Sequence, residues 1–301
     1  MLIHFNAGGT DRERAKFQVQ AMYPVDLPLV GASELTSASL QYLSALESEP
    51  AQRDWFHLPT KSKVAITAAN IKQLHLFNDK PECILLTLHL PDEPQQVVAL
   101  YLCGNWWHID DVLRTSKKSR NGLEAVKCTI ERVLVLVLSQ LVDRVLAEEQ
   151  LFSNHPPTEN CKLLWIHGEA VAFYSFKHKG SLCENCISRC YELPVLDTIY
   201  VRGHCRRRGF GLLMLQDFCD MFPDESVLGV SSPLSAGMMA VCKKFLIQHK
   251  EHRDVLYEVE APSSWIQRRN IWLNIQIGRY SRSKSSSSSV EVEKDEGTDQ
   301  L

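Results

Sequence analysis

From Cys83 onward the alternation of apolar and polar positions becomes regular. "CILLTLHL" and "QVVALYLCGNWW" are β-branched, aromatic-rich runs separated by the turn signal "PDEPQ", which predicts a hairpin. Asp110 and Asp111 then suit the start of a short helix as caps. In "NGLEAVKCTIERVLVLVLSQLVDRVLAEEQ" apolar residues fall at Leu123, Val126, Ile130, Val133, Leu134, Val137, Leu138, Leu141 and Val145. That spacing predicts one long helix lying on a sheet.

"KLLWIHGEAVAFYSFKHKG" holds two β runs that meet at His167-Gly168, and Gly168 supplies the positive φ of a tight hairpin. "YELPVLDTIYV" is a further strand, followed by a helix from about Phe210 to Phe222. Then come "VLGVSS" (strand), "SAGMMAVCKKFLIQH" (helix) and "DVLYEVEA" (strand). Hairpins beside strand–helix–strand units predict an α+β fold, a mixed twisted sheet with helices on its faces. Before residue 80 the signal is weak. "SELTSASLQYLSALESEP" predicts a short helix with Ser37 as N-cap and Leu40, Leu43 and Leu46 on one face. The expected organisation is a variable lead over 1–80, the main domain over 81–265 and a C-terminal extension over 266–280. Residues 281–301 are serine-rich and then acidic, with little to bury, and are expected to be disordered.

The segment that carries candidate chemistry is "IYVRGHCRRRGFGLLML". It places Arg206, Arg207 and Arg208 directly before Gly209-Phe210-Gly211, between a predicted strand and a predicted helix. A helix start leaves backbone N–H groups unpaired and carries partial positive charge, which can cradle a phosphate or pyrophosphate. Glycines let the ligand reach the backbone, and arginine matches phosphate oxygens. The alternative is an ordinary strand-to-helix turn with a solvated basic edge. Met214 stands where a dinucleotide-binding fingerprint needs its third glycine, and no P-loop Gly-Lys-Ser/Thr occurs.

This stretch resembles the acyl-CoA-binding motif of the GNAT superfamily of N-acetyltransferases. Arg206, Gly209 and Gly211 fall on its three signature positions and Val201 on its strand-end valine. The resemblance implies acetyl-CoA as cofactor, held by Val201, Arg206, Arg207, Arg208, Gly209, Phe210 and Gly211. It also implies an acyl thioester in a cleft where two strands splay apart. "VALYLCGNWWHIDDVLRTS", "GEAVAFYSF", "LPVLDTIYVR" and "YEVE" together resemble the soluble lamin-associated family, as a short member. That second resemblance implies a nuclear or nuclear-periphery setting, with a component of the nuclear lamina as partner.

Acetyl transfer to an amine needs a proton acceptor and often a proton donor for the leaving thiolate. Asp197 is the acidic residue of "VLDTIYV", expected to share a face with Val195 and Ile199, and is the candidate catalytic base. A structural carboxylate paired with an arginine is the other reading. Glu192 is a weaker second candidate. Where the resembled enzymes carry an acidic tyrosine this chain has Phe245, and Cys242 nearby reads as packing. The expected functions are therefore an acetyl-CoA-binding N-acetyltransferase or a non-catalytic scaffold with a vestigial pocket.

Composition narrows this further. The 301 residues are 45% hydrophobic with a formal net charge of −3, which argues against a nucleic-acid partner and makes any anion site local. The most apolar segment, Val133 to Leu146, is shorter than the roughly 20 residues of a membrane span, so a soluble chain is expected. No secretory signal is visible at the N-terminus, so the ten cysteines are expected reduced. Cys183, Cys186 and Cys190 give one Cys-x-x-Cys pair and not the two of a zinc ribbon; no metal site is expected. "NWWHIDD" reads as tryptophan anchors and helix caps, and Ser285 to Ser289 as a possible phosphorylation tract.

Overall fold

The computed structural model describes residues 22–48, 54–143, 155–183 and 189–281. The serine tract, the expected disordered tail beyond Ser281, Cys186 and the end of the expected long helix lie outside the described residues.

Helix α1 (Ala32–Ser48) begins ahead of the expected Ser37, where Glu34 Oε2 accepts the Gly31 N–H at 2.7 Å. Strands β1 (Trp55–His57) and β2 (Lys63–Ala65) pair with each other. β3 (Ile71–His75), β4 (Ile84–His89), β5 (Val97–Leu102) and β6 (Asn105–His108) form an antiparallel sheet in that order. The β4–β5 hairpin is the expected one. Because β3 is bonded to β4, the expected boundary at residue 80 falls inside one sheet.

Helix α2 (Ile109–Val112) is capped by His108, whose Nδ1 accepts the Asp110 N–H at 3.3 Å. Asp110 and Asp111 therefore lie in its first turn and are not its caps. The long helix expected from Asn121 is divided. Gly122–Ala125 is strand β7, paired with β8, and the helix proper is α3 (Thr129–Leu136), continued by a π-turn to Leu141. Gly122 at φ +96° suits a helix poorly, and the free sheet edge supplies ladder bonds that Leu123 and Val126 at helical spacing cannot outweigh.

The larger sheet adds β8 (Asn160–Ile166), β9 (Glu169–Lys177), β10 (Val195–Val201), β11 (Leu228–Ser231), β12 (Leu256–Val259) and β13 (Arg268–Asn270). Its order is β13-β12-β11-β10-β9-β8-β7, with only β10–β11 and β11–β12 parallel. The β8–β9 turn uses positive φ at both His167 (49°) and Gly168 (77°), as a type I′ hairpin requires. Helices α4 (Phe210–Asp220) and α5 (Ala236–Gln248) carry the two parallel crossovers, and α6 (Ile271–Gln276) follows β13.

Two cores cover the two faces of this sheet. On one, Val133 and Leu134 of α3 and Val137 of the π-turn meet Leu163, Trp165 and Phe173 below and Leu85 and Leu100 of the smaller sheet above. On the other, Met214, Leu215 and Phe218 of α4 and Cys242, Phe245 and Leu246 of α5 pack with Tyr174, Leu196 and Ile271. Ile271 lies beyond the expected domain end at residue 265 yet is fully buried in this second core. The fold is thus α+β, with mixed sheets flanked by helices. Among the described residues no helix is long and apolar enough to cross a membrane.

Candidate ligand site

Strand β10 forks away from β11. They pair at Val195–Gly229 and Leu196–Val230 only, and β10 then runs on to Val201 without its parallel neighbour. At the fork β10 bulges against β9 between Leu196 and Thr198. The bulge shifts the side-chain phase by one residue, so Leu196, Ile199 and Val201 all face the α4–α5 core. Val195 belongs to a different cluster, so the face expected to join Val195, Asp197 and Ile199 does not form.

Beyond the fork the chain makes a short turn at Gly203–Cys205 and enters α4 through the arginine–glycine loop. Gly209 is the N-cap residue at φ +88°, and no side chain caps the helix. Leu213 makes the first helical bond, to Gly209 O at 3.1 Å, which leaves the N–H groups of Phe210, Gly211 and Leu212 without helical partners. A Cβ at Gly209 would meet nothing within 4 Å, so the approach is open. Arg207, at φ +62°, and Arg208 are exposed beside it. The half-buried Arg206 donates from Nε to Val201 O at 3.0 Å and ties the loop to the strand end.

Gly211 serves another purpose than the one expected. A Cβ there would stand 2.9 Å from Val241 Cγ2, so this glycine lets α4 close on α5. Phe210 is partly buried against the same core.

Asp197 sits at the fork, where its Oδ1 accepts the Ser231 hydroxyl at 2.7 Å. It is not paired with an arginine among the described contacts. Its neighbours are His155, Glu159 and Lys177, three residues that sequence reading passed over. Lys177 Nζ lies 2.7 Å from Glu159 Oε2, both buried, and His155 Nδ1 lies 3.3 Å from Glu159 Oε1. Burial alone would raise the Glu159 carboxyl, but His155 and Lys177 overturn it and hold it at about 2. At Asp197 burial and the Glu159 charge prevail over the Ser231 hydrogen bond and push the carboxyl up. One clue was present in the sequence: Lys177 directly follows the mostly apolar run "AVAFYSF".

The remaining candidates scatter. Glu192 pairs with Arg268 Nη2 at 3.0 Å, away from the fork cluster. Phe245 is buried and stacks on His249 at 4.5 Å. The Cys242 thiol is fully buried and pushed up to about 12 by that burial, so it is no proton donor. Cys183 is buried and Cys190 exposed, and neither belongs to a metal-ligand group among the described residues. Trp107 is an anchor, donating from Nε1 to Leu102 O at 3.0 Å. Asp110 instead joins Glu169 in holding the buried Arg202, at 2.9 and 2.6 Å, which ties α2 to the end of β10.

Comparison with known proteins finds relatives of this chain. The chain is 39% identical over 262 residues to Protein FAM169B of Mus musculus, covering 85% of this chain and 78% of that one. It is 41% identical over 113 residues to Protein FAM169BP of Homo sapiens, covering 36% and 59% respectively. No family model matches, and no solved structure does. These findings overturn both resemblances read from the sequence: the relatives are named neither as lamin-associated proteins nor as acetyltransferases, and no acetyltransferase model matches. The chain belongs to the FAM169B family.

Proposed function

We propose that the protein binds an acyl-coenzyme A or a close analogue, with the diphosphate at the start of α4. The observation that carries this reading is the coincidence of two features: an uncapped, glycine-led helix start and a parallel strand pair that separates beneath it. In open sheets, ligands sit outside the carboxyl ends of parallel strands, and helix N-termini with free amides take phosphate groups.

The residues present fit such a ligand. The N–H groups of Phe210, Gly211 and Leu212 would hold the diphosphate, with Arg207 and Arg208 adding exposed charge at its rim. An acyl-coenzyme A would bring an activated thioester. The reading is binding rather than transfer. Phe245 has no proton to give, Cys242 is locked in the core, and Asp197 is engaged by Ser231.

Calorimetry of the full chain with acetyl-CoA, coenzyme A and inorganic pyrophosphate tests this. Saturable binding of both coenzymes that Arg207→Glu/Arg208→Glu abolishes is the expected result. No heat with any of the three, from a protein shown folded by circular dichroism, refutes it. Acetyl transfer to peptide amines, if detected, would refute the binding-only reading while keeping the site.

A further inference from the structure

Three side chains with metal-ligand chemistry converge below the fork, and coenzyme binding leaves them unexplained. His155, Glu159 and Asp197 each bring a ligand atom to within 4.8 Å of the other two. His155 and Glu159 come from the segment that leads into β8, and Asp197 from the bulge of β10. The side chains of His155 and Glu159 are only 8% and 1% exposed.

Two polar atoms here are buried without a well-formed hydrogen bond: Glu159 Oε1, whose neighbour His155 Nδ1 stands 3.3 Å away, and His155 Nε2. An orphaned buried oxygen of a carboxylate is rare and asks for an ion or water beside it. The separation of His155 Nδ1 from Glu159 Oε1, 3.3 Å, is informative. A charge-assisted hydrogen bond closes to about 2.7–2.9 Å. Two ligands on one tetrahedral zinc, each at about 2.1 Å, stand about 3.4 Å apart. Charge points the same way. Two carboxylates face one ammonium, Lys177, which holds the other Glu159 oxygen.

We infer that His155, Glu159 and Asp197 form a divalent-cation site of the zinc class, with its fourth position open. One imidazole nitrogen and two carboxylate oxygens suit zinc; calcium and magnesium demand six or more oxygen ligands, and no thiolate is present to select a softer ion. Ser231 supports the site from outside, fixing Asp197 through Oδ1 as outer-shell donors fix metal-bound carboxylates. Lys177 orients Glu159 and at the same time opposes the cation, so it limits affinity. The site stands independently of the coenzyme reading.

The test is zinc binding to the full chain carrying His249→Ala/His252→Ala. That background removes a second, more exposed group of His249, Glu251 and His252 able to take the ion. Calorimetry should show one equivalent of zinc, and zinc should raise the melting temperature. Asp197→Asn, nearly isosteric, should weaken zinc binding about tenfold or more. Uptake that Asp197→Asn leaves unchanged overturns the inference. So does a folded protein that takes up no zinc, since the group then holds a proton in place of a cation. Lys177→Met gives a second arm should Asp197→Asn fail to fold. Removal of the opposing charge must tighten zinc binding and let zinc restore lost melting temperature, and unchanged or weaker binding overturns the site.

Discussion

The two helices that leave the parallel strands begin in opposite ways. α5 follows β11 through Ser235, whose Oγ accepts the Met238 N–H at 3.1 Å. Its approach is also closed, because Glu258 Oε1 takes the Ser232 hydroxyl at 3.1 Å and the Leu234 N–H at 3.2 Å. α4 follows β10 through Gly209 with no cap, three arginines alongside and open space in front. Both helices bury their inner faces in the same core. One junction consumes its donors internally and the other leaves them available, so openness belongs to the α4 junction alone and is not a general property of these turns. Capping is worth about 1 kcal/mol, and a chain that forgoes it keeps those amides for another acceptor.

The comparison breaks most severely at the fork between the junctions. Lys177 sits opposite Val195, where β10 still pairs with β11, and its ammonium neutralises Glu159. Lys177→Met strands a buried carboxylate and should cost about 3–5 kcal/mol, read as a lower urea midpoint. The same carboxylate sets an acid limit, because His155 and Lys177 together hold it down. Glu159 is held at about 2, below its ordinary 4.5, so its contribution is present above pH 4.5 and is lost as pH falls toward 2. An acid titration of Glu159→Gln should lack that component of the loss.

The next effect separates the two glycines. Gly211→Val drives a branched side chain into Val241, 2.9 Å from where its Cβ must stand, and should destabilise by about 1–3 kcal/mol in urea. Gly209→Asn meets no neighbour within 4 Å, and asparagine is among the residues that visit positive φ. Its cost should stay below about 1 kcal/mol. Equal losses at the two positions would erase the distinction between a packing glycine and a loop glycine.

Legibility followed the same divide between local and long-range causes. The β8–β9 hairpin, β10, α4, β11, α5 and β12 were all readable, because period-2 and period-3.6 patterns and a His-Gly turn are local signals. The loop was readable for the same reason, since its glycines and arginines are adjacent. β7 was not, because its pairing depends on a sheet edge supplied 35 or more residues later. The role of Gly211 was hidden by Val241, which only tertiary packing brings near. The fork cluster was hidden for the same reason: His155, Glu159, Lys177 and Asp197 carry no spacing signature and meet only once β9 and β10 are paired. The bulge at Leu196–Thr198 also defeated the alternation argument for Asp197, since one extra residue inverts every later side chain.

Smaller effects sharpen the contrast at the helix starts themselves. Ser235→Ala removes the one side-chain cap that α5 has and should lower stability by about 1 kcal/mol, measured by thermal or urea unfolding. No equivalent substitution exists at α4, where there is no cap to remove.

The smallest expected change in stability is at the arginines. Arg207 and Arg208 are exposed and make no ion pair among the described residues, so Arg207→Glu/Arg208→Glu should shift unfolding by no more than about 0.5 kcal/mol. If α4 is open for a diphosphate, that neutral change in fold must coincide with loss of acetyl-CoA binding. Binding by the wild-type chain should also weaken with added salt, because exposed charges are screened over about 8 Å at physiological ionic strength. The control comes from the closed junction. Lys243→Glu/Lys244→Glu reverses the same number of exposed charges further along α5, a helix whose start is capped, and should leave binding intact. Equal loss from both pairs would mean that net charge attracts the ligand and that the α4 amides contribute nothing specific.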